Sequence, residues 1–194
     1  MIAETQRRYG SSYREDVRLP DGTVLTVRAL GPDDATLLQL HFEHLSFESR
    51  HLRFLGGKSA LTESELRFYT HPDGEMHVAL IAVRADSPQK AVGVARFVRS
   101  KDTPQVAERA CAVIDSMQAH GVGKVLITRL FQAALERGVR SFRWGMQADN
   151  GGILRMLEEL SPGFRARRTN STMVVDVAFS TMMVDVALEK RATS

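Results

Sequence analysis

The stretch "DSMQAHGVGKVL", Asp115 to Leu126, decides how the rest of the chain reads. Two glycines, Gly121 and Gly123, stand two residues apart, and a long apolar helical pattern follows them. The residues just before, "VAERACAVID" (Val106–Asp115), read as a strand. A tight strand-to-helix turn aims backbone amides into the space ahead of the helix. The helix dipole adds partial positive charge there, so the turn suits an anion, most naturally a phosphate. A ligand-free tight connection explains a bare G-x-G equally well. Neither G-x-x-x-x-G-K-[ST] nor G-x-G-x-x-G occurs, which argues against P-loop and Rossmann nucleotide sites.

Upstream of this turn, "VRLPDGTVLTVRAL" reads as a hairpin over Val17–Leu30, turning at Pro20-Asp21-Gly22. "GPDDATLLQLHFEHLS" starts a helix that Asp33 or Asp34 can cap, with Leu37, Leu38, Leu40 and Leu45 as its apolar face. "SFESRHLRF" and "LTESELRFYT" read as short helices, the second with a Thr62/Glu65 capping box. Met76–Ala85 and Lys90–Ser100 are strands with "SPQK" as their turn, and with Val106–Asp115 they form an antiparallel meander. Downstream, Val122, Val125, Leu126, Leu130, Ala133 and Ala134 recur at helical spacing until Gly138 stops the helix. "SFRWGMQ" is a strand, "NGGILRMLEEL" a shorter helix, and the rest is strand-like to Leu188. The fold class is a mixed α/β (α+β) sheet, mostly antiparallel, flanked by helices. Residues 1–15 are polar and read as a frayed N-terminus ahead of one domain over 16–179.

Residues 180–194 hold an oddity. "STMVVDVAF" (Ser171–Phe179) is followed directly by "STMMVDVAL" (Ser180–Leu188), identical at seven of nine positions. The second copy reads as an extra edge strand or hairpin arm. The sharper reading is pairing with another protomer in a homodimer.

Bulk composition bounds the function. The 194 residues are enough for one domain with a real core. A net charge of +3 argues against a dedicated nucleic-acid binder. The lone Cys111 forbids an intrachain disulfide and fits a reducing compartment. The first residues lack a signal-peptide apolar core, and no apolar run approaches the ~20 residues of a membrane span. A cytoplasmic protein without membrane partners is expected.

With these elements laid out, Gln118-Ala119-His120-Gly121-Val122-Gly123 resembles the [RQ]-x-x-G-x-[GA] motif of GCN5-related N-acetyltransferases (the GNAT family). Ala107-Glu108, Ala110, Val113, Asp115, Asn150 and Gly163-Phe164 fall at that family's spacing, and the element order agrees over roughly Val17 to Phe179. "RLPDGTVLTVRALGPDD", "LSFESRHLRF" and "AERACAVIDSMQAHGVG" resemble the acetyltransferase domain of bacterial Pat-type protein lysine acetyltransferases. Members of that subgroup often carry a regulatory or CoA-ligase-like domain, which these residues do not include.

The resemblance implies direct transfer of acetyl from acetyl-CoA, as co-substrate and without a metal, to an amine acceptor. The subgroup's acceptors are lysines of proteins such as acyl-CoA synthetases. It implies that the amides of Gln118, Ala119, His120, Gly121, Val122, Gly123 and Lys124 hold the pyrophosphate. The pantetheine would pair with the strand near Cys111, Val113 and Ile114, in a cleft that a bulge in that strand opens. Asn150 would contact the CoA arm. Glu108, ten residues before Gln118, would be the general base; without the resemblance it reads as a solvated glutamate. An amine of pKa ~10.4 needs such help at neutral pH.

The chain departs from the family pattern in places. The second and third motif positions, often Gly and Arg, are Ala119 and His120 here. The tyrosine that many members use to protonate the leaving thiolate is absent from "LRMLEELSPGF". Two rival functions stand beside protein acetylation: the same chemistry on a small amine, and a non-catalytic acyl-CoA-binding or interaction module.

Other residues read as structural. Cys111 fits a small buried strand residue. His41 and His44 have metal-compatible spacing but no third ligand. Trp144 reads as core. Arg50, His51 and Arg53 read as a solvated basic face or as a grip on an acidic substrate protein. "FRARR" (Phe164–Arg168) reads as an exposed strand.

Overall fold

The structure, a computed structural model, describes residues 7–54 and 56–181. An eight-stranded sheet runs in the order β1-β2-β3-β4-β5-β6-β8-β7. Its strands are β1 (Arg14–Arg18), β2 (Val24–Ala29), β3 (His77–Arg84), β4 (Ser87–Arg99), β5 (Val106–Val113), β6 (Ser141–Gln147), β7 (Arg165–Thr169) and β8 (Thr172–Ala178). Every neighbouring pair is antiparallel except β5 and β6, which run parallel. Five helices flank the sheet: α1 (Ala35–Glu43), α2 (Phe47–Phe54), α3 (Glu63–Thr70), α4 (Val122–Leu135) and α5 (Gly151–Leu160). This is the expected α/β architecture.

Two cores result from the two faces of the sheet. Leu38 of α1 joins Ile81 and Val83 of β3 on one face, with Leu66 and Tyr69 of α3 packed against them. On the other, Val122, Leu126 and Leu130 of α4 meet Leu80, Val92 and Phe97, and Leu157 of α5 belongs to the same cluster. Sequence-level punctuation holds in detail. Thr62 and Glu65 form the reciprocal capping box of α3. Gly138 takes φ +74° just past α4, with its own N–H bonded to the Leu135 carbonyl and that of Val139 to Ala134.

Four details differ. The β3–β4 turn is Ala85-Asp86, closed by a two-pronged ion pair from Arg84 to Asp86. "SPQK" instead opens β4, where the register shifts between Val83↔Ala91 and Arg84↔Ser87, and Pro88, with no N–H to donate, falls in that irregularity. Tyr9 and Tyr13, which fall in the stretch expected to fray, are buried and pack with tilted rings, their centroids 4.7 Å apart. The anchor is Arg137, which donates to the carbonyls of Gly74, Ala133 and Tyr9 at 2.7, 2.7 and 2.8 Å. Asp34 does not cap α1 with its side chain. Its carboxylate takes a two-pronged pair from Arg28 and the Gly31 N–H, closing the turn ahead of the helix. The first copy of the C-terminal repeat supplies β8, between β6 and β7. Beyond Thr181 the second copy lies outside the described residues.

Candidate active site

The site begins where two strands part. β5 and β6 pair only at Val106↔Ser141 and Ala107↔Phe142. Beyond Ala107 the strands have no ladder between them. The expected bulge in β5 is absent: its ladder with β4 is unbroken from Arg99↔Ala107 to Gly93↔Val113. The fork therefore comes from the shortness of the parallel pairing, not from an extra residue.

Ladder geometry fixes which backbone groups face the gap. Ile114 donates to Val92 and Val106 accepts from Ser100, so even-numbered residues of β5 bond to β4. In an antiparallel ladder the alternate residues turn their amides and carbonyls the other way. Cys111 and Val113 therefore present their N–H groups to the fork, as the resemblance implied. Ile114 does not. Its N–H is taken by Val92, its carbonyl by Met117, and its side chain is buried.

At the end of β5 the chain turns into α4. Gly121 is the residue before the helix and takes φ +95°. Ala119 takes φ +62°, a left-handed conformation that a non-glycine residue adopts at a cost. This explains why glycine is usual at that position. Val125 makes the first bond of the helix, to Gly121, and no side chain caps the helix start. Consequently the six amides from Ala119 to Lys124 have no acceptor among the described residues. Unsatisfied amides at a helix start, preceded by left-handed residues, make an anion cradle. A side chain at Gly123 would meet only Val113, at an ordinary 3.8 Å, so the protein leaves that position open. A pyrophosphate fits this arrangement.

The side chains of the motif play other parts. Gln118 spends its amide on Asp115, and its side chain donates to Ser49 (3.0 Å) and to the Val113 carbonyl (3.1 Å). It belongs to a staple rather than the cradle. Asp115 accepts from the Ser46 N–H, the Ser46 hydroxyl and the Ser49 hydroxyl at 2.8, 2.7 and 2.9 Å. Burial works to raise the Asp115 pKa, but these bonds outweigh it and hold the carboxyl below its ordinary value. Ser46 in turn accepts from Ser49 N–H and opens α2. His120 is exposed, with Nδ1 2.7 Å from the Gln118 carbonyl and Nε2 3.9 Å from Asp21. Lys124 reaches Glu159 of α5 at 3.5 Å. Asn150 caps α5, its side-chain oxygen accepting from Ile153 at 3.1 Å, while its amide nitrogen has no partner among the described residues.

Glu108 lies on the α1–α3 face of β5, opposite Val98 and two residues before Ala110, which lines a cleft on that face. It is exposed and makes no hydrogen bond or ion pair among the described residues. Cys111 is no nucleophile. Burial pushes its thiol up to about 11, against the pull of Arg109 and Arg53. Trp144 is core as expected, and Arg109, which nothing in the sequence singled out, stacks on it with the guanidinium carbon 3.7 Å from the ring centroid.

Beside Ala110 and Ala112 lies a half-open cleft with a cavity volume of about 40 Å³. Arg53, expected on a solvated face, turns into it, alongside Arg96, His41 and Tyr69. Arg50 and His51 stay outside, over Phe42 and against Phe47 respectively. His41 is buried, and burial foremost, with the nearby His44, brings its pKa down to about 4, so the ring is neutral. No group of metal-binding side chains occurs, and no helix is long and apolar enough to cross a membrane, among the described residues. Arg165–Arg168 of "FRARR" fall on the fully exposed edge strand β7, whereas Phe164 precedes the strand and packs half-buried against the core.

Comparison with known proteins agrees with this geometry. The model of the acetyltransferase (GNAT) family matches residues 43–161. A curated acetyltransferase of Pseudomonas aeruginosa is 28% identical over 123 residues, spanning 63% of this chain and 66% of its own length. The GNAT domain of S. lividans PAT superposes with a TM-score of 0.77 at 26% identity, covering 86% of this chain and 97% of that domain. The acetyltransferase yncA from Salmonella typhimurium, solved with acetyl-CoA, shares the fold at TM-score 0.64 and 17% identity, covering 84% and 98%. A cAMP-binding acyltransferase from Mycobacterium smegmatis shares it at 0.62 and 23%, where this chain spans about half (52%) of the longer protein. A fork in the sheet, a cradle of free amides at its end and a family match over most of the same residues converge: the chain belongs to the GNAT family of acetyltransferases.

Proposed function

We propose that this chain moves acetyl from acetyl-CoA to a primary amine by direct attack, with Glu108 taking the amine's proton. The observation that carries the reading is the continuity of the fork with the cradle. The inward N–H groups of Cys111 and Val113 lead straight to six free amides, a track for an extended arm ending in a pyrophosphate. Asn150, through its unspent amide nitrogen, contacts the same arm. The amine nitrogen attacks the thioester carbon, the new C–N bond forms, the C–S bond breaks, and the thiolate leaves. Glu108 suits the base because no cation within ion-pair distance claims it. Water supplies the proton to the thiolate, since the helix after Asn150 has no tyrosine.

The acceptor proposed first is a protein lysine. Its support is the likeness to the S. lividans PAT domain and the quoted Pat-type stretches. The single cysteine fits a cytoplasmic setting. A small-molecule amine is the second reading, favoured by one observation: the cleft beside Glu108 is lined by α1, α2 and α3 and holds two guanidinium groups.

The test is acetyl-CoA with a panel of folded proteins, peptides and free amines, following thermal shift and CoA release. A shift with release on a protein lysine supports the first reading. Release on free amines alone replaces it with the second. No shift and no release with any amine ends the enzyme reading. A shift without release, unchanged in Glu108→Gln, indicates a binding module.

A further inference from the structure

The cleft beside Glu108 contains two guanidinium groups that no carboxylate pairs with among the described residues. Arg53 and Arg96 both line it, and no Asp or Glu does. Neither guanidinium makes a hydrogen bond or an ion pair among the described residues. Arg96 lies over the Tyr69 ring at 3.8 Å and Arg53 over the Phe54 ring at 4.7 Å. Burial foremost, and then Arg96, bring the Arg53 pKa down to about 10, while Tyr69, Cys111 and Glu108 pull it up. A third polar group adds to the pattern. His41 is 2% exposed, lines the same cleft, and its Nε2 has no partner. Tyr69 aside, the remaining lining is apolar, including Leu38, Phe42 and Leu61.

Neighbouring cations in a half-buried apolar cleft repel each other and lose hydration, and such an arrangement persists when an anion completes it. A planar guanidinium matches a carboxylate through two parallel hydrogen bonds. The neutral His41 ring adds one more bond without adding charge. Glu108 is on the same face of the sheet, two residues before Ala110, which lines the cleft.

We propose that the cleft lined by Arg53, Arg96 and His41 is a carboxylate subsite, so that the acceptor carries a carboxylate close to its reacting amine. This rests on the acetyl-transfer reading for the meaning of "acceptor", but the anion site stands by itself as a binding claim. The carboxylate has two sources: a free amino acid, or an acidic side chain beside a target lysine.

Calorimetric titration of the intact protein in the presence of CoA separates them. The first probe pair is leucine against 3-methylbutylamine, its counterpart without the carboxylate. The second is N-acetyl-Glu-Lys-amide against the Gln-Lys peptide. At least one carboxylate member should bind ~10- to 100-fold tighter than its partner, the range for charge-assisted hydrogen bonds. Which pair shows the gap names the source. Arg53→Gln and Arg96→Gln should each shrink that gap to within about threefold, whereas Arg53→Lys should keep part of it. Arg53 is on a short surface helix, so its variants serve if the strand variant Arg96→Gln does not fold. Equal affinities within both pairs, no binding by any probe, or a gap untouched by Arg53→Gln would overturn the proposal. A carboxylate gap with no CoA release from any amine would retain the subsite and sink the acetyl-transfer reading instead.

Discussion

Asp115, at the end of the strand that carries Glu108, accepts two hydrogen bonds from Ser46, which opens α2 sixty-nine residues earlier in the chain. With Ser49 and Gln118 it joins the amide cradle to the helix that bears Arg53. The cradle and the cleft-lining helix are therefore one mechanical unit.

This staple has a defined pH behaviour. The Asp115 carboxyl is depressed in the folded state, so its contribution is fully present above the unfolded value of ~3.9 and is lost as pH falls through the folded value. Asp115→Asn should lower Tm at neutral pH by about 2–4 °C, the effect of roughly 1 kcal/mol for an exposed hydrogen-bonded carboxylate. The gap between variant and parent should close on acidification below about pH 4. Calorimetric melts across pH check this; a gap that stays constant as pH falls below about 4 would contradict it.

Gly93 controls how closely α4 approaches the sheet. A Cβ there would lie 2.8 Å from Leu126 Cδ1, 3.1 Å from Val122 Cγ1 and 3.4 Å from the Ala112 carbonyl. Gly93→Val should destabilise by about 1–3 kcal/mol through overpacking. Because Val122 is at the cradle, acetyl-CoA affinity should fall as well, read by calorimetric titration. Unchanged affinity in a folded variant would show that the helix start moves independently of its packing.

Ala119→Gly tests the left-handed residue of the turn. Relief of the φ +62° conformation, worth ~1–2 kcal/mol, is partly offset by the greater chain entropy of glycine, ~0.4–1 kcal/mol. The net expectation is a gain of roughly 1 kcal/mol in denaturant unfolding, with acetyl-CoA affinity equal or tighter. A loss of stability would mean that the alanine methyl makes a compensating contact.

Glu108→Gln should lower kcat by about 10²-fold or more near neutral pH, with acetyl-CoA affinity nearly intact. The deficit should shrink as pH rises toward the amine's own pKa of ~10.4, where free amine no longer needs a base. A pH–rate profile decides it. A deficit constant across pH, or a parallel loss of acetyl-CoA affinity, would make Glu108 structural.

Arg137→Met removes the donors to the buried carbonyls of Tyr9 and Ala133 and to the half-buried carbonyl of Gly74. Each abandoned acceptor costs ~1–3 kcal/mol, so the variant should be among the least stable single changes in the chain, losing more than about 3 kcal/mol in urea titration. A loss under 1 kcal/mol would mean that water takes over these carbonyls.

Much of this was legible in the residues, because local signals carry it. The capping box at Thr62, the stop at Gly138 and the turn at Gly121 are short-range chemistry, and the structure keeps each. What was not legible depends on partners distant in sequence. Nothing in "FESRHLRF" says that Arg53 turns inward while Arg50 and His51 do not, since a 3.6-residue period does not tell which side of a short polar helix meets the sheet. Gly93 owes its role to α4, a helix distant in sequence that rests on it. Ile114 was grouped with Cys111 and Val113 by adjacency, but strand alternation turns its backbone toward β4. The fork was expected from a bulge and arises from a ladder two pairs long.

That short ladder has a consequence for how the sheet survives in water. β5 is a central strand by position, yet past Ala107 one of its sides is chemically an edge, buried in the middle of eight strands. Outer edges invite stray strands and are blunted by charge, as the arginines of β7 do here. The inner one leaves the N–H groups of Cys111 and Val113 without a partner strand. Under the acetyl-transfer reading proposed above, the co-substrate arm would serve there as a removable ninth strand, and each turnover would briefly complete the sheet.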